Sequence, residues 1–237
     1  MGSETTRLVI FDAAGTLFRP VEPVGVTYGR YAEKHGAAAD PEHLEKQFRK
    51  LFGQQPALAF RAGLTESELR QTEYEWWRRL VREVFDQREF DRFDAFFDDV
   101  FEHYRRPSAW VVYDDVIPVL KRLRSTGMKT AVVSNFDSRL IDLLAGLGLR
   151  DYFDYLGISS RDGAAKPDPL IFRLALEQLG VGAEQAVHVG DSLREDVEGA
   201  RAAGVFPLLL DRSGAIPDND RLTVIQDLHQ LFDHLQY

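Results

Sequence analysis

The chain of 237 residues contains no cysteine. That absence excludes disulfides, thiolate zinc sites and cysteine nucleophiles. It also lacks any apolar run near the ~20 residues that a membrane helix needs. No secretory leader is visible, so a cytoplasmic protein with no membrane partner is expected. Basic blocks are missing too. Lys and Arg number 29 against 38 Asp and Glu, for a formal charge of −9. This balance argues against nucleic acid as a partner, because phosphate backbones are held by clustered cations. A small anionic ligand is still allowed, since one lysine and a few backbone N–H groups suffice to bind it. Apolar residues make up 44 % of the chain, enough for a real core. The length fits one α/β domain with a sizeable insertion, or two small domains.

What is present is organised around Leu8-Val9-Ile10-Phe11-Asp12-Ala13-Ala14-Gly15-Thr16-Leu17. Four consecutive apolar residues read as a short strand buried on both faces. Asp12 ends it, and Gly15 permits a tight turn. From about Val24 to Arg106 the pattern is helical. Thr65-Glu66-Ser67-Glu68 is a capping box that opens the clearest helix, with Leu69, Trp76, Trp77, Leu80, Val81, Val84 and Phe85 as its apolar positions. A further helix carries Phe90, Phe93, Phe97, Val100, Phe101 and Tyr104 on one face, read as the core of a helical bundle. After Pro107 the pattern alternates. Helices are expected at 114–125, 137–147, from 168–169 to Gly180, and at 194–203. Strands are expected at 129–134, 155–159, 186–189 and 207–210. Repeated strand–helix units with short links predict an α/β fold: a Rossmann-like parallel sheet with helices on both faces, interrupted by an all-helical block. The expected division is a discontinuous core of residues 1–19 and 108–237 and a helical insertion of residues 20–107.

Four groups fall at predicted strand ends or in the loops that follow, where open α/β sheets bind ligands. They are Asp12 with Thr16; Ser134-Asn135; Lys166 in Lys166-Pro167-Asp168-Pro169; and Asp191 with Asp196 in Gly190-Asp191-Ser192-Leu193-Arg194-Glu195-Asp196. Each alone is an ordinary turn or cap. Together at one end of one sheet they form a chemically sensible set. Asp12, Asp191 and Asp196 concentrate negative charge and call for a cation. Their donors are all oxygens, which points to Mg²⁺. Lys166 and the Ser134 hydroxyl are suited to a phosphoryl group. Asp12 is a candidate nucleophile on phosphorus, giving an aspartyl-phosphate that water then hydrolyses.

These four stretches, in this order, resemble the four motifs of the haloacid dehalogenase superfamily of hydrolases. The resemblance runs from Leu8 to about Leu210. A helical insertion after the first motif is similar to the cap of the subfamily I members, which in that family closes over the site and selects the substrate. Asn135-Phe136-Asp137, Leu140, Leu147-Gly148-Leu149-Arg150 and Trp76-Trp77 are similar to the type-three branch of haloacid dehalogenase-like hydrolase domain-containing proteins. The resemblance implies that Asp12, the Ala14 carbonyl and Asp191 bind Mg²⁺, with Asp196 supporting Asp191 or a bound water. It also implies that Ser134 and Lys166 hold the phosphoryl group with help from Asn135, and that Thr16 orients the first loop.

One position departs from that pattern. The phosphatases of the family carry a second Asp two residues after the nucleophile as general acid and base, where this chain has Ala14. Loss of such help costs about 10²–10⁴ in rate. The expected function is therefore a slow Mg²⁺-dependent hydrolase of a small phosphorylated metabolite, with His35 or His43 as candidate substitute acids. Carbon–phosphorus cleavage is an alternative, because phosphonoacetaldehyde hydrolases resemble this chain in having Ala there; Lys34, Lys46 and Lys50 are the lysines available for their Schiff base. A non-catalytic phosphate-binding or regulatory protein is another alternative. Dehalogenation of 2-haloacids ranks lower, because those metal-free enzymes lack the acidic residue corresponding to Asp191.

Overall fold

The computed structural model describes residues 5–61, 63–85, 92–217 and 221–236. Its centre is β1 (Leu8–Phe11), whose four side chains are wholly buried. That burial on both faces is why the segment reads as an unbroken apolar run. Beyond it come β2 (Phe18–Pro20), α1 (Val24–Lys34), α2 (Pro41–Phe52), α3 (Glu66–Val84), α4 (Phe93–Arg105) and β3 (Trp110–Val112). The alternating part follows: α5 (Val116–Ser125), β4 (Lys129–Ser134), α6 (Arg139–Gly146), β5 (Tyr155–Ile158), α7 (Ser159–Asp162), α8 (Leu170–Leu179) and β6 (Ala186–Gly190). A π-helical turn (Leu193–Glu198) leads into α9 (Gly199–Ala202), then β7 (Phe206–Leu210) and β8 (Val224–Ile225).

Six strands form one parallel sheet in the order β5-β4-β1-β6-β7-β8. The Rossmann-like α/β class expected from the alternation is what the chain adopts. β1 pairs with β4 on one side, Phe11 opposite Val132, and with β6 on the other, Phe11 opposite Val189. Strand order reverses at β1, so the ends of β1, β4 and β6 open onto a switch-point crevice. On one face, Leu8, Ile10, Ala131 and Val133 pack with Ile171, Phe172 and Ala175 of α8 into a continuous core.

The chain divides into two compact units. One comprises Met1–Arg19, Ala59–Ala62 and Val112–Tyr237; the other comprises Pro20–Leu58 and Gly63–Val111. The second unit is a helical bundle. The Thr65 capping box is complete: the Thr65 N–H donates to Glu68 Oε2 at 2.8 Å, and the Glu68 N–H donates to Thr65 Oγ1 at 3.3 Å. Phe93, Phe96, Phe97 and Val100 of α4 are buried, and Tyr28 of α1 meets Phe96 edge-on at 6.4 Å. The aromatic stripe is therefore bundle core; Phe90 lies outside the described residues. Among the described residues no helix is long and apolar enough to cross a membrane.

Several boundaries differ from the sequence pattern, for physical reasons. The helix expected from 114 starts at Val116, with Asp115 at its capping position and the Asp115 carboxylate bonded to Arg212 and the Leu228 N–H. The helix expected from 168–169 starts at Leu170, whose N–H is capped by Asp168 Oδ1 at 2.9 Å. The single helix expected at 194–203 is a π-helical turn followed by α9. Strands β2, β3 and β8 were not expected from the pattern; they span two or three residues each, and β2 ends at Pro20.

Candidate active site

The turn after β1 sets the site. The Leu17 N–H donates to Ala13 O at 2.8 Å, which curls the chain just past Asp12. Gly15 adopts φ 93°, and a Cβ there would lie 2.4 Å from Asp191 Oδ2. Only glycine allows both that backbone and that approach. Gly190 does the same service at the end of β6, where a Cβ would lie 2.1 Å from Asp196 Cγ. The π-helical turn then brings Asp196 back over Gly190. Its wide winding puts the N–H groups of both Asp196 and Val197 on Ser192 O, at 3.0 and 3.2 Å. Such turns concentrate at functional sites.

The result is a buried charge cluster. Lys166 Nζ lies 2.6 Å from Asp12 Oδ1 and 2.5 Å from Asp196 Oδ1. The carboxylates of Asp12, Asp191 and Asp196 come within 4.8 Å of one another. Lys166, Asp12 and Asp196 are buried, while Asp191 stands at the exposed rim. Asp196 is held on every side. Its Oδ1 also takes the Nε2–H of His188 at 2.9 Å, and its Oδ2 takes the Ser192 N–H at 2.9 Å. Since a carboxylate only accepts, the imidazole donates from Nε2, and its buried Nδ1 has no partner among the described residues.

Electrostatics follow from this packing. Burial lowers the ammonium pKa of Lys166, but Asp12 and Asp196 outweigh it, so the group is raised and stays charged. Burial raises Asp196, and Lys166 with His188 overcomes that, so it stays ionised. Asp12 is raised by burial and by Asp196, against the pull of Lys166. Desolvation of the Asp191 carboxyl, followed by the neighbouring Asp12 and Asp196 carboxylates, pushes it up to about 7. Three carboxylates face one ammonium. Hard oxygen donors with a surplus of negative charge, one of them open to solvent, fit a small divalent cation such as Mg²⁺.

The other expected residues take definite places. The Asn135 amide forms a closed pair with the Lys166 backbone, accepting from its N–H at 2.8 Å and donating to its carbonyl at 2.9 Å. It therefore anchors the residue that carries the ammonium. Ser134 ends β4, beside β1, and is buried. Thr16 is wholly buried; its hydroxyl has no partner among the described residues, and its carbonyl accepts from Arg212 at 2.9 Å. Ala14 is partly exposed in the turn and bridges to Phe18. In the helical unit, His35 is buried with Nε2 2.8 Å from Asp99 Oδ2, which also accepts from Lys34 at 2.7 Å. His43, Lys46 and Lys50 are exposed on α2. His188 and Arg212 were not among the expected site residues. The only cue for His188 was one polar residue inside the apolar strand Ala-Val-His-Val-Gly.

A parallel sheet with its acidic and lysine side chains gathered at the switch point defines a hydrolase of the haloacid dehalogenase type. Residues 6–204 match the haloacid dehalogenase-like hydrolase family, and the chain belongs to it. Among its relatives, haloacid dehalogenase-like hydrolase domain-containing protein 3 of Bos taurus is 36 % identical over 207 residues, covering 86 % of this chain and 81 % of the relative. Solved structures agree. A HAD phosphatase from Thermococcus onnurineus is 29 % identical with a TM-score of 0.67, covering 97 % of both chains. A 2-haloacid dehalogenase from Pseudomonas syringae pv. Tomato DC3000 is 25 % identical with a TM-score of 0.65, covering 96 % of this chain and 97 % of its own.

Proposed function

We propose that this hydrolase cleaves a small phosphomonoester through an aspartyl-phosphate on Asp12, with Mg²⁺ required. The observation that carries the reading is the single Lys166 ammonium shared by two carboxylates, with a third at the rim. Such a cluster holds a surplus of negative charge that a divalent cation would balance. Asp12, Asp191 and the Ala14 carbonyl are the groups that would hold the ion. Asp196 already accepts three N–H donors, so its part is to fix Lys166 and the loop of Asp191. The ion, when bound, neutralises charge on the phosphoryl oxygens.

Asp12 forms a bond to phosphorus while the ester P–O bond breaks and the alcohol leaves with the electron pair. Water then attacks phosphorus, and the Asp12–phosphorus link breaks to release inorganic phosphate. Lys166 and Ser134 hold the phosphoryl oxygens; Asn135 fixes Lys166, and Thr16 shapes the turn. Ala14 moves no proton, so the leaving alcohol and the attacking water exchange protons with solvent and turnover is slow. The HAD phosphatase among the similar structures supports phosphorus as the reacting centre. Dehalogenation has less support, because Asp191, whose counterpart those metal-free enzymes lack, belongs with a bound cation. Carbon–phosphorus cleavage also has less support. An imine-forming lysine needs a desolvated setting, and Lys34, Lys46 and Lys50 are all exposed.

Phosphate release from a panel of small phosphomonoesters, with Mg²⁺ or with EDTA, tests the proposal. The expected result is release with Mg²⁺ that EDTA abolishes and Asp12→Asn removes. Release that survives Asp12→Asn contradicts it, as does halide release from a 2-haloacid in EDTA.

A further inference from the structure

The carbonyls that end the Asp12 turn are not left to solvent. The Thr16 carbonyl accepts from Arg212 Nη2 at 2.9 Å, and the Leu17 carbonyl accepts from the Tyr113 N–H at 3.1 Å. Arg212 is 196 residues away in sequence. It follows β7, which stands two strands from β1 in the sheet. The guanidinium is fixed on three sides. It forms a two-pronged pair with Asp115, Nη1 to Oδ2 at 2.9 Å and Nη2 to Oδ1 at 3.0 Å. Its flat face lies 3.8 Å from the centre of the Tyr113 ring. Asp115 Oδ2 in turn accepts the Leu228 N–H at 2.8 Å.

Asp115 occupies the position from which an Asp ordinarily caps its own helix, yet it makes no such cap. Its carboxylate is spent on Arg212. A planar fork that meets a carboxylate with two bonds, stacks on a ring and still reaches a carbonyl is a geometry that lysine cannot reproduce. The geometry points to Arg212 as a positioning residue for catalysis: through Thr16 it holds the turn that carries Asp12 and Ala14 in register with Asp191 and Lys166. The Arg212–Thr16 bond is direct, so Asp115, which also accepts the Leu228 N–H, contributes mainly to folding. This inference rests on the phosphomonoesterase reading for its kinetic form, and has a second form that does not.

Arg212→Lys and Asp115→Asn are compared with the natural protein, using para-nitrophenyl phosphate and Mg²⁺ as the probe. Displacement of a reacting group by a fraction of an ångström is felt in kcat. Arg212→Lys is expected to lower kcat by about tenfold or more, with KM within about threefold. Asp115→Asn, which leaves the Arg212–Thr16 bond in place, is expected to lower kcat by less than about threefold at a lower melting temperature. Hydrogen exchange supplies the readout independent of activity. Amides of residues 15–18 are expected to exchange about tenfold faster in Arg212→Lys than in Asp115→Asn, with those of β1 unchanged. Full kcat in Arg212→Lys overturns the inference. So does an equal kcat loss in both variants, which marks a fold-wide effect. If the natural protein releases no phosphate, the phosphomonoesterase reading fails on its own, and the exchange comparison decides on Arg212: equal exchange in the two variants overturns it.

Discussion

Lys166 Nζ stands 2.6 Å from Asp12 Oδ1 while also touching Asp196 Oδ1 at 2.5 Å, so one buried ammonium ties the end of β1 to the turn after β6. Removing that charge leaves two buried carboxylates facing each other. Breaking a buried ion pair by deleting one partner typically costs about 3–5 kcal/mol. Lys166→Met is expected to lose stability on that scale and to regain part of it in MgCl2, because a divalent cation can replace the missing positive charge. Urea unfolding with and without MgCl2 measures both effects. A variant as stable as the natural protein would show that the cluster does not depend on its lysine.

His188 is a wholly buried imidazole with one nitrogen on Asp196 and the other without a partner among the described residues. An apolar side chain would sit there at less cost, were Asp196 not in need of the donor. Hydrogen bonds to charged groups contribute about 1.5–3 kcal/mol. His188→Leu is expected to lose about that much and to slow phosphate release. His188→Gln, which keeps an N–H, is expected to lose less of both. Denaturation midpoints and kcat for the two variants check the order, and a harmless His188→Leu would contradict it.

Asp115 has a pH signature of its own. Burial raises its pKa, but the Arg212 guanidinium and the Leu228 N–H lower it further than burial raises it, so the carboxyl titrates below the usual carboxylate range. A group whose folded pKa is depressed contributes stability above its unfolded pKa of about 3.9 and loses it as pH falls through the folded value. The natural protein is therefore expected to exceed Asp115→Asn by a constant margin of about 1–3 kcal/mol from pH 7 to pH 5. The margin should shrink as pH falls below about 4. Urea midpoints for both proteins at pH 7, 5 and 3.5 follow it, and a margin that grows on acidification would reverse the assignment.

Ala14 is the position where the family's phosphatases place an acid. Restoring a carboxyl there with Ala14→Asp is expected to raise kcat for a phosphomonoester with a poor leaving group by about 10²-fold or more. The effect should be smaller for para-nitrophenyl phosphate, whose leaving group needs little protonation. Steady-state kinetics on the two ester types make the comparison, and an equal or absent gain would show that proton transfer at residue 14 does not limit turnover.

The sheet and the strand-end groups stand out in the sequence because their physics is local. Leu8–Phe11 is an apolar run that only a strand buried on both faces explains. Asp12, Lys166 and Asp191 are polar residues following such runs or lying in the loops between elements, and Asp196 lies in the turn just after Asp191. The fold thereby brings those four together. Other features depend on contacts between distant parts of the chain. Arg212 follows β7 in an ordinary polar turn, and nothing near it in sequence announces Thr16 or Asp115. The π-helical turn reads in sequence as the start of an ordinary helix; its wider winding shows only in the structure, where Ser192 O receives two N–H donors. The Asn135 amide pairs with the Lys166 backbone, 31 residues away, and nothing beside Asn135 in sequence announces that partner.

The central claim is that Asp12 becomes phosphorylated. Because Ala14 supplies no base for the second step, the aspartyl-phosphate should persist long enough to trap. Borohydride reduces an acyl phosphate to the alcohol, converting a phosphorylated Asp to homoserine. The decisive measurement is peptide mass mapping after borohydride quench of protein turning over para-nitrophenyl phosphate in Mg²⁺. The account requires homoserine at position 12, absent in EDTA. Phosphate release with Asp12 intact throughout would contradict it.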